Sequence, residues 1–208
     1  KKKPAGDIIW INGVSIGEAK TAVIIANELK KLKPNLSILL STSTITSYSL
    51  LSKSQNKFTI IYSPLDIDFI IYRFIEYWNP TVAIFIESEI WPNIVNQLKN
   101  KSIPLNLFNA RISDKSYTKW KRFNFLSSKI FSMINSCYVQ DSESLVRFKE
   151  LGVKDVKKIE NLKFLSEKLN VDKKKFNQLR YQTSNYRIIT LFSSHNKEEE
   201  LMIECFKA

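Results

Sequence analysis

A run of β-branched and apolar residues, Ile8-Ile9-Trp10-Ile11, ends in the small-residue loop Asn12-Gly13-Val14-Ser15-Ile16-Gly17, and Glu18 follows where an alanine-friendly helix begins. Val23, Ala26, Leu29 and Leu32 recur at helical spacing between Ala19 and Leu32, so the order is strand, tight loop, helix. Few folds accommodate that unit. In an α/β sheet the loop lies at the carboxyl end of a parallel strand, where open sheets bind ligands. Glu18 is then expected in the first turn of a helix, facing a crevice and not a core, which makes it a candidate general base. Glu in a first turn also complements the helix dipole, and this loop alone leaves both roles open.

A second segment repeats the arrangement. Pro80-Thr81-Val82-Ala83-Ile84-Phe85-Ile86 has the composition of a buried strand, and Glu87-Ser88-Glu89-Ile90-Trp91-Pro92-Asn93 follows it directly. Glu87 emerges at the strand's carboxyl end, and Glu89, two residues on, points the same way if the segment stays extended. Pro92 suits the first turn of a helix running through Ile94, Val95 and Leu98. Acids at the ends of two different strands are hard to explain as packing. Paired carboxylates at one crevice serve proton transfer or charge stabilisation, one tuned against the other.

The rest of the chain continues the alternation expected of an α/β fold. Candidate strands are Asp7 to Asn12, Ser37 to Thr42, Lys57 to Tyr62, Thr81 to Ile86, Ile103 to Asn109, Ser136 to Gln140 and Val156 to Glu160. Tyr117 to Ile134 is expected as one amphipathic stretch with Trp120, Phe123, Leu126, Ile130 and Met133 on a common face. A polar, lysine-rich segment from Ser166 to Asn185 precedes a further strand, Arg187 to Phe192, and a helix that runs to Ala208. The net charge is +12. A scattered basic surface gives solubility and non-specific attraction; it also suits anionic headgroups or a phosphorylated substrate. Arg111, Lys115, Lys119, Lys121 and Arg122 cluster at and after the Asn109-Ala110-Arg111-Ile112-Ser113 segment. No zinc-ligand spacing, aromatic-basic repeat or recognition-helix motif points to nucleic acid. Cys137 and Cys205 are expected as reduced core thiols without a disulfide framework. A single histidine and no cysteine cluster imply no metal. The absence of G-x-G-x-x-G argues against a dinucleotide cofactor, and no apolar run approaches the roughly twenty residues of a spanning helix.

Several segments carry a resemblance. Ser15-Ile16-Gly17-Glu18 is similar to the S-V-G-E loop of the transferases of 3-deoxy-D-manno-octulosonic acid (Kdo), and Glu87-Ser88-Glu89-Ile90-Trp91-Pro92-Asn93 to their E-T-E-L-W-P-N string. Tyr62-Ser63-Pro64-Leu65-Asp66 resembles Y-L-P-Y-D, and Asn109-Ala110-Arg111-Ile112-Ser113 resembles N-A-R-L-S. Ser41 to Ser47 matches a Thr-rich loop without its proline and glycine. Asn161-Leu162-Lys163-Phe164 resembles G-N-L-K-F-D, with Glu160 and Leu165 replacing the flanking glycine and aspartate. Ser193 to Glu199 resembles S-T-H-x-G-E-E, with Lys197 in place of the glycine.

The resemblance implies the Rossmann-like N-terminal half of a GT-B glycosyltransferase with the start of its second half. Residues 1–165 form the acceptor-side domain in that arrangement, and residues 166–208 a linker and the first strand and helix of an incomplete donor-binding domain. The expected reaction is inverting transfer of Kdo from CMP-Kdo to a lipid A precursor, without a cofactor, on the cytoplasmic face of a bacterial inner membrane. By the same resemblance Glu18 is the proton acceptor, and Glu87 and Lys163 stabilise the transition state. Ser15, Gly17, Glu89, Asn93, Arg111 and His195 are expected to bind substrate, with the basic cluster after Arg111 facing the acceptor and an anionic membrane surface. The chain is expected to be a fragment whose CMP-gripping residues lie elsewhere, inactive by itself. Two alternatives remain: another GT-B nucleotide-sugar enzyme of the lipid A disaccharide synthase or epimerase type, and a non-catalytic basic domain that binds membrane or nucleic acid.

Overall fold

The computed structural model describes residues 2–4, 6–53, 58–87, 89–159, 171–194 and 197–207. They belong to two compact units, Lys1–Ser166 and Glu167–Ala208. In the first, β1 (Ile8–Asn12), β2 (Ser37–Thr42), β3 (Thr59–Tyr62), β4 (Val82–Ile86), β5 (Leu105–Ala110), β6 (Ser136–Val139) and β7 (Val156–Lys158) form one sheet. The strand order is β3-β2-β1-β4-β5-β6-β7, and every pairing is parallel. The chain winds outward from β1 to β3, returns to β4 beside β1, and winds the other way. The order therefore reverses between β1 and β4, which makes their carboxyl ends the topological switch point.

Successive strand residues face opposite sides, and each side has its own core. Ile8, Trp10, Phe85 and Leu107 point to the larger cluster. It is closed by α3 (Asp68–Trp78), α4 (Pro92–Asn100), α6 (Asn124–Phe131) and α7 (Ser142–Glu150) through Ile71, Ile75, Ile94, Leu98, Phe131 and Phe148. Ile11, Leu40, Ile84 and Ile86 point to the other cluster, under α1 (Ile16–Leu32) and α2 (Ile45–Ser52). Burying a large apolar side chain is worth about 1.5–3 kcal/mol. Trp10 is fully buried, and its indole N–H donates to Ser41 Oγ at 2.7 Å, so the polar edge of the ring is satisfied. On the sheet-facing side of α1, Ala19, Ala22 and Ala26 are buried and Val23, Ile25 and Leu29 pack partly buried against the same core, while Leu32, expected on that face, is exposed.

Three local expectations are corrected. The stretch from Tyr117 to Ile134 is two helices, α5 (Asp114–Arg122) and α6, which meet at Phe123 with φ −104° and ψ 46°. Trp120, Ile130 and Met133 pack on the larger core, but Phe123 and Leu126 are exposed. In the second unit, α8 (Lys173–Gln182) and α9 (Glu198–Lys207) form, but Arg187 to Phe192 is not a strand. A strand needs a ladder partner, and the described residues of that unit contain no strand to pair with it. Cys205 on α9 is exposed and not a core thiol, whereas Cys137 is buried in β6, where desolvation pushes its thiol far above the usual range. No helix among the described residues is long and apolar enough to cross a membrane.

Candidate functional site at the carboxyl ends of β1 and β4

The β1–α1 loop is shaped by close backbone approach. A Cβ on Gly13 would lie 2.9 Å from the carbonyl carbon and oxygen of Glu18 and 3.1 Å from the nitrogen of Ala19. Gly13 is therefore the residue that lets the first turn of α1 fold back on the strand end. Its N–H donates to Ser41 O at 3.0 Å, which ties the loop to β2. Ser15 is the N-cap of α1, and its hydroxyl accepts from Glu18 N at 3.3 Å. The Glu18 carboxylate turns back and accepts the Val14 N–H on Oε2 at 2.8 Å. This is a capping-box exchange shifted by one residue. The S-x-x-E spacing that signals such a box is present in the sequence and accounts for the anchoring.

Glu18 is consequently only 6% exposed, more enclosed than an open crevice carboxylate. One oxygen is held by backbone; Oε1 has no hydrogen bond among the described residues. Gly17 lies in the same first turn, where its carbonyl accepts from Thr21 Oγ1. Beneath the loop, Asn12 Oδ1 accepts from Ser41 Oγ at 2.7 Å and Ser63 Oγ at 2.6 Å. Thr42 Oγ1 and Ser47 Oγ donate to Val14 O at 3.0 and 3.4 Å. These hydroxyls come from the ends of β2 and β3 and from α2, and they fix the position of the loop.

The second acidic segment stands beside the first because β4 pairs with β1, Asn12 opposite Phe85. Glu87 is not extended: its φ is 62°, in the left-handed region that favours glycine. Its N–H donates to Phe108 O at 2.9 Å, and Asn109 at the end of β5 is also left-handed, with φ 56°. The strand alternation expected to aim Glu87 and Glu89 alike is therefore broken. Glu89 nonetheless reaches the cluster. Burial raises its carboxyl above the ordinary value of 4.5, and the charge of Glu18 raises it further; a hydrogen bond from Trp91 opposes this, and Glu87 adds to the rise. Trp91 Nε1 donates to Glu89 Oε2 at 2.9 Å.

Asn93, expected to bind substrate, is engaged within the protein. Its Nδ2 donates to Asp66 O at 2.8 Å and Asp66 Oδ2 at 3.3 Å. The Asp66 carboxylate also accepts the Asn93 and Ile94 N–H groups of the first turn of α4, at 3.3 and 2.9 Å. Asp66 thus caps α4 from the β3–α3 loop and holds the turn that carries Trp91. Its role has no local sequence signal, because the partners are 27 and 28 residues away. Arg111, exposed just after β5, acts on Asp141, the N-cap of α7. Burial pushes Asp141 up, but hydrogen bonds from Ser144 and the charges of Arg111 and Arg147 bring it below its ordinary value. Arg111 therefore sits at the same edge as the acids, beyond β4. Lys163 and His195 lie outside the described residues. Among the described residues no group of three His, Cys, Asp or Glu side chains is arranged to hold a metal ion.

Three carboxylates and a helix N-terminus at a switch point are the setting for proton transfer and for binding an anionic group. The profile of the 3-deoxy-D-manno-octulosonic-acid transferase (kdotransferase) family matches residues 1–166. The chain belongs to the Kdo transferase family. It is 36% identical over 203 residues to the 3-deoxy-D-manno-octulosonic acid transferase of Rickettsia prowazekii, covering 96% of this chain and 43% of that protein. It thus spans less than half the length of this curated relative. Among solved structures, UDP-GlcNAc 2-epimerase from Neisseria meningitidis superposes with a TM-score of 0.54 at 12% identity, over 86% of this chain and 53% of that one. MurG from Acinetobacter baumannii gives 0.52 at 9% identity, over 89% and 51%. These likenesses concern fold alone, and they make this sheet the Rossmann-like half of a GT-B architecture. In this Kdo transferase chain, Glu18 and the Glu87–Glu89 segment are the family-like motifs that the sheet order brings together.

Proposed function

We propose that this chain provides the acceptor-side half of an inverting glycosyltransferase that moves Kdo from CMP-Kdo to a lipid A precursor at the cytoplasmic face of a bacterial inner membrane. The observation that carries it is the meeting of Glu18 with Glu87 and Glu89 at the ends of β1 and β4. Inverting transfer needs a base for the acceptor hydroxyl as it attacks the anomeric carbon. Glu18 suits that role because Oε2 is anchored by the Val14 N–H, which leaves Oε1 to take the proton in a fixed orientation. Glu87 stabilises the oxocarbenium-like transition state, and Lys163 offsets negative charge on the departing CMP. Glu89 shapes the acceptor side with Trp91. Asn93 supports the same side indirectly, through the turn it shares with Asp66. Ser15, Gly17, Arg111 and His195 contact the substrates, and the donor is gripped by residues of the second half. Residues 1–208 alone are expected to lack transferase activity.

Capping and catalysis by Glu18 are separable. Glu18→Gln keeps an oxygen for the Val14 N–H and removes the base; Glu18→Ala removes both. In the full-length enzyme, with CMP-Kdo and a tetra-acylated lipid A precursor, Glu18→Gln is expected to keep the melting temperature and lose about 10²–10⁴-fold in rate. Rates in Glu18→Gln near those of the parent reject Glu18 as the base. No transfer by a folded parent enzyme rejects the donor–acceptor assignment, and a screen of nucleotide sugars then identifies the reaction.

A further inference from the structure

Helix α6 is apolar on two sides. Ile130 and Phe131 are buried in the larger core, and Trp120 of α5 and Met133 pack against the same cluster. On the outside, Phe125 is 90% exposed, Leu126 51%, and Phe123, at the break between α5 and α6, 60%. A surface helix normally puts polar residues on its outer face. A single exposed apolar residue needs no explanation, but three within four positions mark a contact surface.

The charges around this corner say what it contacts. Lys115, Lys119 and Arg122 recur at i, i+4 and i+7 and so form one stripe along α5. That stripe lies opposite Trp120, which faces the core, and all three residues are exposed. Phe125 and Lys129, four residues apart, share the outer side of α6. Lys121 is held by Glu150. No carboxylate lies within ion-pair distance of Lys115, Lys119, Arg122 or Lys129 among the described residues. The α5–α6 corner thus combines an aromatic tip with a rim of uncompensated cations, the pattern that matches an anionic bilayer surface.

We propose that the α5–α6 corner docks on an anionic membrane, with Phe123, Phe125 and Leu126 entering the interface and Lys115, Lys119, Arg122 and Lys129 contacting lipid phosphates. This rests on the membrane component of the function proposed above and names the surface responsible. Each cation near such a surface strengthens docking about fivefold, so neutralising two weakens it about 25-fold.

The test places an environment-sensitive fluorophore at Phe125→Cys in the full-length protein, in a background where Cys205 is serine, with a control label at exposed Glu28→Cys on α1. Vesicles contain phosphatidylglycerol and phosphatidylethanolamine, or phosphatidylcholine alone, with doxyl-labelled lipid as quencher. The expected result is a blue-shifted, quenched signal at position 125 on anionic vesicles only, an unquenched control, and loss of the signal in Lys119→Gln/Arg122→Gln. A label at 125 that stays unquenched on membrane-bound protein overturns the proposal, as does equal quenching on phosphatidylcholine. A blue shift without vesicles shows another protein surface covering the corner, and this also overturns it. Transfer to a detergent-solubilised acceptor by the unsubstituted enzyme tests the transferase assignment separately, because it needs no bilayer.

Discussion

Gly13→Ala tests whether the β1–α1 loop is as tightly built as its geometry says. The added methyl would sit 2.9 Å from two backbone atoms of Glu18 and 3.1 Å from the nitrogen of Ala19. None of these is a side chain that can swing aside, so the first turn of α1 must move by some tenths of an ångström. Two effects compete. Replacing glycine restricts the unfolded chain and favours folding by about 0.4–1 kcal/mol. Overpacking against rigid neighbours costs about 1–3 kcal/mol, and the same shift strains the Gly13 N–H to Ser41 O and Val14 N–H to Glu18 Oε2 bonds. The clash wins, and a net loss of about 1–2 kcal/mol lowers the melting temperature by about 2–8 °C. Because the displaced turn carries Glu18, activity should fall further than stability; a misplacement near 1 Å costs about 10²-fold. Thermal unfolding and Kdo transfer by the full-length variant at a temperature where it is fully folded read the two effects. Unchanged melting and transfer would show that the loop has slack and that Glu18 is not held as described.

Two further substitutions probe the same edge. Glu89 has its folded-state carboxyl raised by burial and then by Glu18, so as pH rises above the ordinary 4.5 the unfolded chain releases its proton first. The contribution of this group to stability is therefore greatest below that pH and declines as pH rises through the folded value. Relative to the parent, Glu89→Gln should gain melting temperature as pH rises above the ordinary 4.5; a difference between the two that does not change with pH counts against a crowded acid cluster. Asp66→Ala leaves the Asn93 and Ile94 N–H groups without their acceptor. It should cost about 0.5–2 kcal/mol and alter Trp91 fluorescence, and a parent-like melting temperature and spectrum would dismiss Asp66 as the cap of α4.

The sheet was legible because each strand is a short apolar, β-branched run between turn residues, and parallel strands buried on both faces read that way. Ser37 to Thr42 has the expected ends, and β1, β4 and β6 differ by one residue at one end. β5 starts two residues later and ends one later than expected, while the ends expected at Lys57 and Glu160 lie outside the described residues. The break at Phe123 was not legible, because an apolar 3.6-residue period runs through it; what the pattern lacks is the fact that α5 buries no residue completely. Arg187 to Phe192 has strand composition, but composition does not supply a neighbour. At the site, each acid was visible in its motif, whereas their adjacency depends on β4 lying beside β1. The duty of Asp66 and the close approach at Gly13 depend on partners that meet only in the fold.

The backbone at Glu87 bears on why this edge is built as it is. Left-handed backbone at a residue with a side chain costs about 1–2 kcal/mol, and glycine would remove most of that cost. The chain instead keeps a carboxylate there, next to a second left-handed residue, Asn109, on the neighbouring strand. It also collects Glu18 and Glu89 there, and after burial the charges of Glu18 and Glu87 raise the Glu89 carboxyl further. Neither the strain nor the mutual repulsion helps the sheet close, since the cores on both faces are complete beneath this edge. Local choices that oppose stability, gathered at a switch point, are where a functional requirement overrides folding. The capping role of Glu18 accounts for one acid in structural terms; it does not account for the other two standing beside it. That crowding, two further acids set against one that is anchored by its own loop, is the observation on which the proposed catalytic role of the ends of β1 and β4 rests.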